Sequence, residues 1–226
     1  MDTEIGESGA LFRAIYSLLV EQTKKGEKLA TENQLAEKFE TSRYKVRLVL
    51  DQLTQMGVLE RTQKKGMELL TLSPEKFAER QCRQIIIADL DKNEVLEARK
   101  LSASKCIPLC LRRISPVILG KLDEKIRQMS ASIDFHSAVV RFHFMFHKAL
   151  LSAVGNRLLF GTDYGLLLYI GDQIDSKRHF DHEVIVNLIE ADRTLLNAIR
   201  NENLKEAEEA IEDVYRAERE LLLESN

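Results

Sequence analysis

Three histidines, His136, His143 and His147, are separated by seven and four residues, a spacing that lines them along one face of an α-helix. Imidazoles arranged this way can share a metal ion when a further ligand arrives from another helix. The same stretch holds Phe142, Phe144, Met145 and Phe146, which suits equally well histidines that pack without any ligand role. A second constellation is basic. Ser42, Arg43, Lys45 and Arg47 fall within a turn and a half, and Lys64-Lys65-Gly66 follows farther on. Cations at the front of a helix can reach base edges and phosphates in the major groove of DNA; the plainer alternative is a solvated basic face. Cys106 and Cys110 share a helix face and fit either a thiol sensor or small core residues.

Charge distribution favours the nucleic-acid reading. The 226-residue chain is acidic, at -3, but Ser42 to Gly66 carries six basic residues against Asp51 and Glu60, so this segment is +4 and the remainder -7. A net charge averages over domains and hides such a patch. Met1 to Gly9 contains Asp2, Glu4 and Glu7, unlike a secretory signal, and no apolar run reaches the roughly 18 to 20 residues of a membrane span. Three cysteines are too few for a disulfide framework. The expectation is a cytoplasmic protein with no membrane partner.

The elements that must position these groups follow from periodicity. Leu11, Ile15, Leu18 and Leu19 mark a helix over Ala10 to Thr23, with Gly26 as its stop. Thr31 caps a short second helix ending near Phe39 or Glu40, and Ser42 caps a third with a Val46, Val49, Leu50, Leu53 stripe closed by Gly57. Val58 to Thr62 and Met67 to Thr71 read as strands around Gln63-Lys64-Lys65-Gly66. Three helices and a basic hairpin make a winged helix-turn-helix, in which the short Glu40-Thr41 turn presents the third helix outward. Ser73-Pro74 predicts a linker. Beyond it, Ile85-Ile86-Ile87 is ambiguous and the rest helical: Lys92 to Leu111, Ser115 to Met129, Asp134 to Val154, Arg157 to Ile174, His182 to Asn201 and Leu204 to Leu223, with Pro108 expected to kink or end the first. The fold expected is mainly α: a winged helix-turn-helix with a small β-hairpin wing at 1–72, a linker at 73–80, and an all-α helical bundle at 81–226.

The run from Gly26 to Leu70 resembles the DNA-binding domain of the GntR family, through Leu29, Glu32, Leu35, Ala36, Phe39, Ser42, Arg43, Val46, Arg47, Leu50, Leu53, Gly57 and Gly66. Departures are Ala30 for a proline, Glu40-Thr41 for Gly-Val and Tyr44-Lys45 for a Thr-Pro pair. The resemblance implies that Arg43 and Arg47 contact bases or phosphates, that Gly66 lets the wing tip enter the minor groove, and that Asn33 stands where relatives carry a DNA-contacting arginine. Ser42, Tyr44, Lys45, Lys64 and Lys65 complete the expected surface.

Phe146-His147-Lys148-Ala149-Leu150 followed by Gly155-Asn156 resembles the FCD subgroup of that family, whose helical effector domain often holds a divalent metal by one aspartate and three histidines. By that resemblance His143 stands in the aspartate's place, Asp192 in a histidine's, and the last histidine falls near Val214, which cannot coordinate. The implied set is His143, His147 and Asp192, able to hold Zn, Ni, Mn or Fe. Glu97-Ala98-Arg99 is similar to the family's E-x-R segment, which makes Arg99 the candidate partner of a carboxylate effector, with a structural salt bridge as the alternative. Together these readings imply a homodimeric regulator, not an enzyme, that binds double-stranded operator DNA and answers to a small organic acid, a metal or both, most commonly as a repressor. A metal-dependent enzyme or a pure metal sensor would use the same ligand set.

Overall fold

The structure, a computed structural model, describes residues 2–62, 66–70, 73–174 and 180–224. The chain forms two compact units, 1–72 and 73–226.

The first unit is a winged helix. Helix α1 spans Asp2–Lys25, α2 Glu32–Lys38 and α3 Arg43–Gln55, followed by strands β1 (Leu59–Thr62) and β2 (Gly66–Leu69). Thr31 closes a capping box with Gln34 at the start of α2, satisfying donors that a helix start leaves bare. Apolar residues at helical spacing put Ile15 and Leu19 of α1, Leu35 of α2, and Val46, Leu50 and Leu53 of α3 into one core with Leu59 of β1. The strands pair antiparallel with Leu59 opposite Leu69 and Thr62 opposite Gly66. Gly66 takes φ +78, a left-handed conformation that glycine adopts without a Cβ penalty.

The second unit is all-helical: α4 (Pro74–Ile87), α5 (Lys92–Arg113), α6 (Pro116–Ala131), α7 (His136–Leu151), a 3₁₀ turn (Ser152–Val154), α8 (Arg157–Gln173), α9 (His182–Arg200) and α10 (Leu204–Glu224). Its core runs from Cys82 to Leu222. One expectation fails here. Residues 73–80 are no linker: Ser73 caps α4 and Pro74 sits at its first position, where the missing N–H and fixed φ favour a helix start. Ile85-Ile86-Ile87 ends that helix. Helix α4 lies close on α8, because a Cβ at Gly161 would stand 2.7 Å from the Phe77 ring and one at Gly165 3.1 Å from the Ala78 carbonyl. Pro108 stands inside α5, which continues past it to Arg113. Among the described residues, no helix is long and apolar enough to cross a membrane.

Candidate nucleic-acid interface and buried polar site

The hydroxyl of Ser42 accepts a hydrogen bond from the Lys45 backbone N–H (3.2 Å), so this residue starts α3. With Val46, Val49, Leu50 and Leu53 turned into the core, the opposite face of α3 puts Arg43, Tyr44, Lys45 and Arg47 into solvent. Arg43 and Lys45 have no side-chain partner among the described residues. Arg47 donates from Nε and Nη2 to Glu32 Oε2, at 3.3 and 3.1 Å, and Arg61 donates to Asp51 at 2.9 Å while lying 3.8 Å from the other oxygen of Glu32. Glu32 therefore stands between two arginines of the same surface. Asn33 is exposed on α2 and Gly66 is exposed at the start of β2; Lys64 and Lys65 lie outside the described residues. The sequence reading missed Leu48, one turn beyond Tyr44 and 46% exposed, an apolar side chain on this face of the kind that meets a thymine methyl. Glu40, in the turn before α3, has φ 47, where the resembled pattern has glycine.

In the second unit, five helices bring charged and polar groups to one interior place: Arg99 from α5, His143 and His147 from α7, Asp163 from α8, Asp192 from α9 and Glu218 from α10, all buried. Spacing of four puts His143 and His147 on one face of α7, with ring centroids 4.6 Å apart. Asp192 bridges them, Oδ2 to His143 Nδ1 at 2.8 Å and Oδ1 to His147 Nε2 at 2.9 Å. The other nitrogen of His143 faces Glu218 Oε1 at 3.3 Å, and that of His147 faces Arg99 Nη2 at 3.3 Å. Because arginine can only donate, Nδ1 of His147 accepts and its ring proton sits on Nε2, donated to Asp192. His143 lies between two carboxylates and donates to both when protonated.

The electrostatics follow. Burial alone drives the His143 imidazole toward neutrality, but Asp192 and Glu218 outweigh it and lift its pKa from 6.5 to about 9. Burial resists ionisation of Asp192 as well, yet the two imidazoles hold its pKa down to about 2. His147 is pushed down, chiefly by burial, with His143 and Arg99 adding to it against Asp192. Glu218 is kept below its ordinary value, burial being overcome by Arg99 and His143. Asp163 goes the other way, because burial outweighs an Arg99 contact of 3.4 Å.

Of the expected ligand set, His143, His147 and Asp192 do converge: one donor atom from each lies within 4.8 Å of the others. Two imidazoles and a carboxylate are the donor chemistry of a borderline divalent ion. His136, two turns earlier, lies elsewhere; its Nδ1 accepts the Phe180 backbone N–H at 3.1 Å. Val214 is buried, and one turn beyond it the same helix supplies Glu218. Arg99 is 2% exposed; Nη1 lies 3.4 and 3.5 Å from the Asp163 oxygens and Nη2 3.5 Å from Glu218. Sequence reasoning missed Asp163 and Glu218. Both carried a signal: each is an acid set within the apolar stripe of its helix, between Phe160 and Leu167 and between Val214 and Leu221. Burial pushes the Cys106 and Cys110 thiols up to about 11 and about 12, which leaves no reactive thiolate; they are core residues.

Comparison with known proteins agrees with this two-part anatomy. The model of the gntR family of bacterial regulatory proteins matches residues 11–69, and that of the FCD domain matches residues 94–217, more than half of the chain. The chain belongs to the gntR family and carries an FCD domain. The family is one of regulators rather than enzymes. A curated relative, the HTH-type transcriptional regulator LutR of Bacillus subtilis (strain 168), is 28% identical over 138 residues, 61% of this chain and 63% of that protein; this chain thus spans less than two thirds of that relative's length. Among solved structures, a GntR protein of Streptococcus agalactiae superposes with a TM-score of 0.57 at 19% identity, covering 92% of this chain and 99% of that one. E. coli McbR/YncC gives 0.54 at 14% identity, covering 95% and 97%. These two likenesses establish the shared fold. The FCD match encloses Arg99 through Val214 and stops one residue short of Glu218.

Proposed function

We propose that this gntR-family protein is a ligand-responsive transcriptional regulator that binds double-stranded operator DNA as a homodimer and senses its signal in the FCD domain. The observation that carries this reading is the capped helix α3, whose exposed face presents Arg43, Lys45 and Arg47 opposite a fully buried apolar stripe. In this reading Asn33, Ser42, Arg43, Tyr44, Lys45 and Arg47 meet the major groove and its phosphates, while Lys64, Lys65 and Gly66 approach the minor groove or backbone. Two copies related by a two-fold axis match a two-fold symmetric operator. Such a protein works on the chromosome, hence in the cytoplasm. Selection of operator sequences from a random pool, followed by a salt titration, tests it: a steep fall of affinity with salt is expected for the selected site. Failure to bind any selected sequence better than random DNA at about 0.15 M salt would sink the reading.

Within the FCD domain, His143, His147 and Asp192 would hold a divalent ion such as Zn, Ni, Mn or Fe. A bound ion supplies a fixed positive charge between α7 and α9, and loading requires the proton now on His147 Nε2 to leave. The donor groups are at most 2% exposed, which leaves a substrate no access and favours sensing over turnover. Whatever the signal, it must bind one arrangement of the dimer more tightly than the other to change operator affinity, with relief of repression as the expected outcome. Native mass spectrometry of the protein as isolated reports dimer and metal together. His147→Ala should lose metal; equal stoichiometry in variant and parent would remove the ion from this account.

A further inference from the structure

Arg99 is the residue an anionic effector would seek, and it is already taken. Its Nη1 faces both oxygens of Asp163, and its Nη2 faces Glu218 and His147. Both carboxylates are 1% exposed. The cavity that adjoins Arg99 and Asp163 measures only about 10 Å³, room for at most one water, and the one guanidinium donor left over is Nε, buried without a partner. A water there satisfies it, whereas an organic acid does not fit. Charge points the same way. Asp163, Asp192 and Glu218 put three acids in one buried cluster against Arg99 and the protonated His143, so a further carboxylate meets like charge and a cation meets its complement.

We propose that Asp163 and Glu218 are built-in carboxylate ligands of Arg99, and that this buried site consequently takes a cation, and no organic acid, as its signal. The inference rests on the reading that this domain is the sensory one. It assigns Asp163 the place that an effector carboxylate would otherwise fill, a side chain acting as a permanently bound acid.

The test is a melting experiment on the full chain with formate as the probe and chloride as the ionic-strength control. Parent protein should show no saturable shift with formate, acetate or citrate, and a clear rise with Zn²⁺ or Ni²⁺. Asp163→Ala removes the built-in acid and opens a space beside Arg99; its melting temperature should drop, and formate should restore at least half of the loss. Asp163→Asn keeps the side-chain volume and so keeps the space beside Arg99 closed, and formate should leave its melting temperature unmoved. Saturable stabilisation of the parent by a carboxylate would overturn the closed acid site while leaving the metal ligands standing. Formate without effect on Asp163→Ala, or acting equally on Asp163→Asn, would overturn the role given to Asp163. A parent indifferent to Zn²⁺ and Ni²⁺, with formate acting as expected, would overturn the cation half together with the metal reading.

Discussion

Arg47 and Arg99 each lie beside a carboxylate, yet 62% of the Arg47 side chain is in solvent and only 3% of that of Arg99. At the surface, water screens the Arg47–Glu32 pair and both side chains retain their hydration, so such a pair contributes roughly 0 to 1 kcal/mol and can be exchanged for a phosphate or a guanine at little cost. In the interior, Arg99 has lost its water, and removing its partners leaves a bare buried charge. One arginine is therefore held ready and the other is fixed. The same residue type serves recognition in one unit and internal order in the other, and burial is what separates the roles.

The largest expected effect breaks the fixed side. Arg99→Met fills the volume but leaves Asp163 and Glu218 without their cation, and truncating one member of a buried ion pair costs about 3 to 5 kcal/mol. Urea unfolding of the full chain should show the helical unit destabilised by that amount, with the winged-helix unit unchanged; a shift under 1 kcal/mol, the range expected of a surface pair, would mean that Arg99 is not fixed by burial.

A second effect follows from His143. Its folded pKa, about 9, lies above its ordinary 6.5, so its contribution is fully present below pH 6.5 and is lost as pH rises through about 9. The linkage amounts to about 3 kcal/mol. Asp192 works in the opposite sense: with its pKa held at about 2 against an ordinary 3.8, its contribution is present above pH 3.8 and disappears toward pH 2. His147, held below its ordinary value, takes stability away as pH falls below 6.5, so metal-free protein should be most stable near pH 6.5. His143→Gln should flatten the alkaline limb, and an alkaline limb unchanged in that variant would place its cause elsewhere.

On the exposed side, Arg47→Ala should weaken specific operator binding by about 1 to 3 kcal/mol, roughly 5- to 150-fold, with stability altered by less than about 0.5 kcal/mol. Unchanged affinity in a gel-shift or anisotropy titration would take Arg47 off the recognition surface and weaken the contrast with Arg99.

How much of this was legible beforehand differs between the two regions for a physical reason. The winged helix is written locally: a hydroxyl cap at Ser42, a 3.6-residue apolar stripe from Val46 to Leu53 and a glycine at Gly57 fix α3 without knowledge of any other part of the chain. In the buried site, only the His143–His147 pair is local. Asp192 came from a family resemblance, and Asp163 and Glu218 were passed over because an acid on a helix reads as solvent-facing until the neighbouring helices show that its face is interior. Arg99 was found, with an effector carboxylate and a structural salt bridge as its two readings, but Asp163 and Glu218 were not named as its partners. Helix α4 was lost for a different reason. Ser-Pro breaks a helix that precedes it and begins one that follows, and Ser73-Pro74 does the second.

The smallest effect concerns backbone rather than charge. Glu40 joins α2 to α3 at φ 47, a left-handed conformation that costs an L-residue with a Cβ roughly 1 to 2 kcal/mol, and it is exposed, so its side chain offers little in return. Glu40→Gly relieves the Cβ clash, although glycine's greater freedom in the unfolded chain cancels part of the gain. A net stabilisation of about 1 kcal/mol is expected in the winged-helix unit alone, visible as a later urea transition with the helical unit unmoved. Glu40→Ala separates the causes, since alanine discards the charge and keeps the Cβ. An equal gain from alanine would locate the effect in the side chain, and the turn before α3 would then join Arg47 as a feature governed by surface charge rather than by backbone geometry.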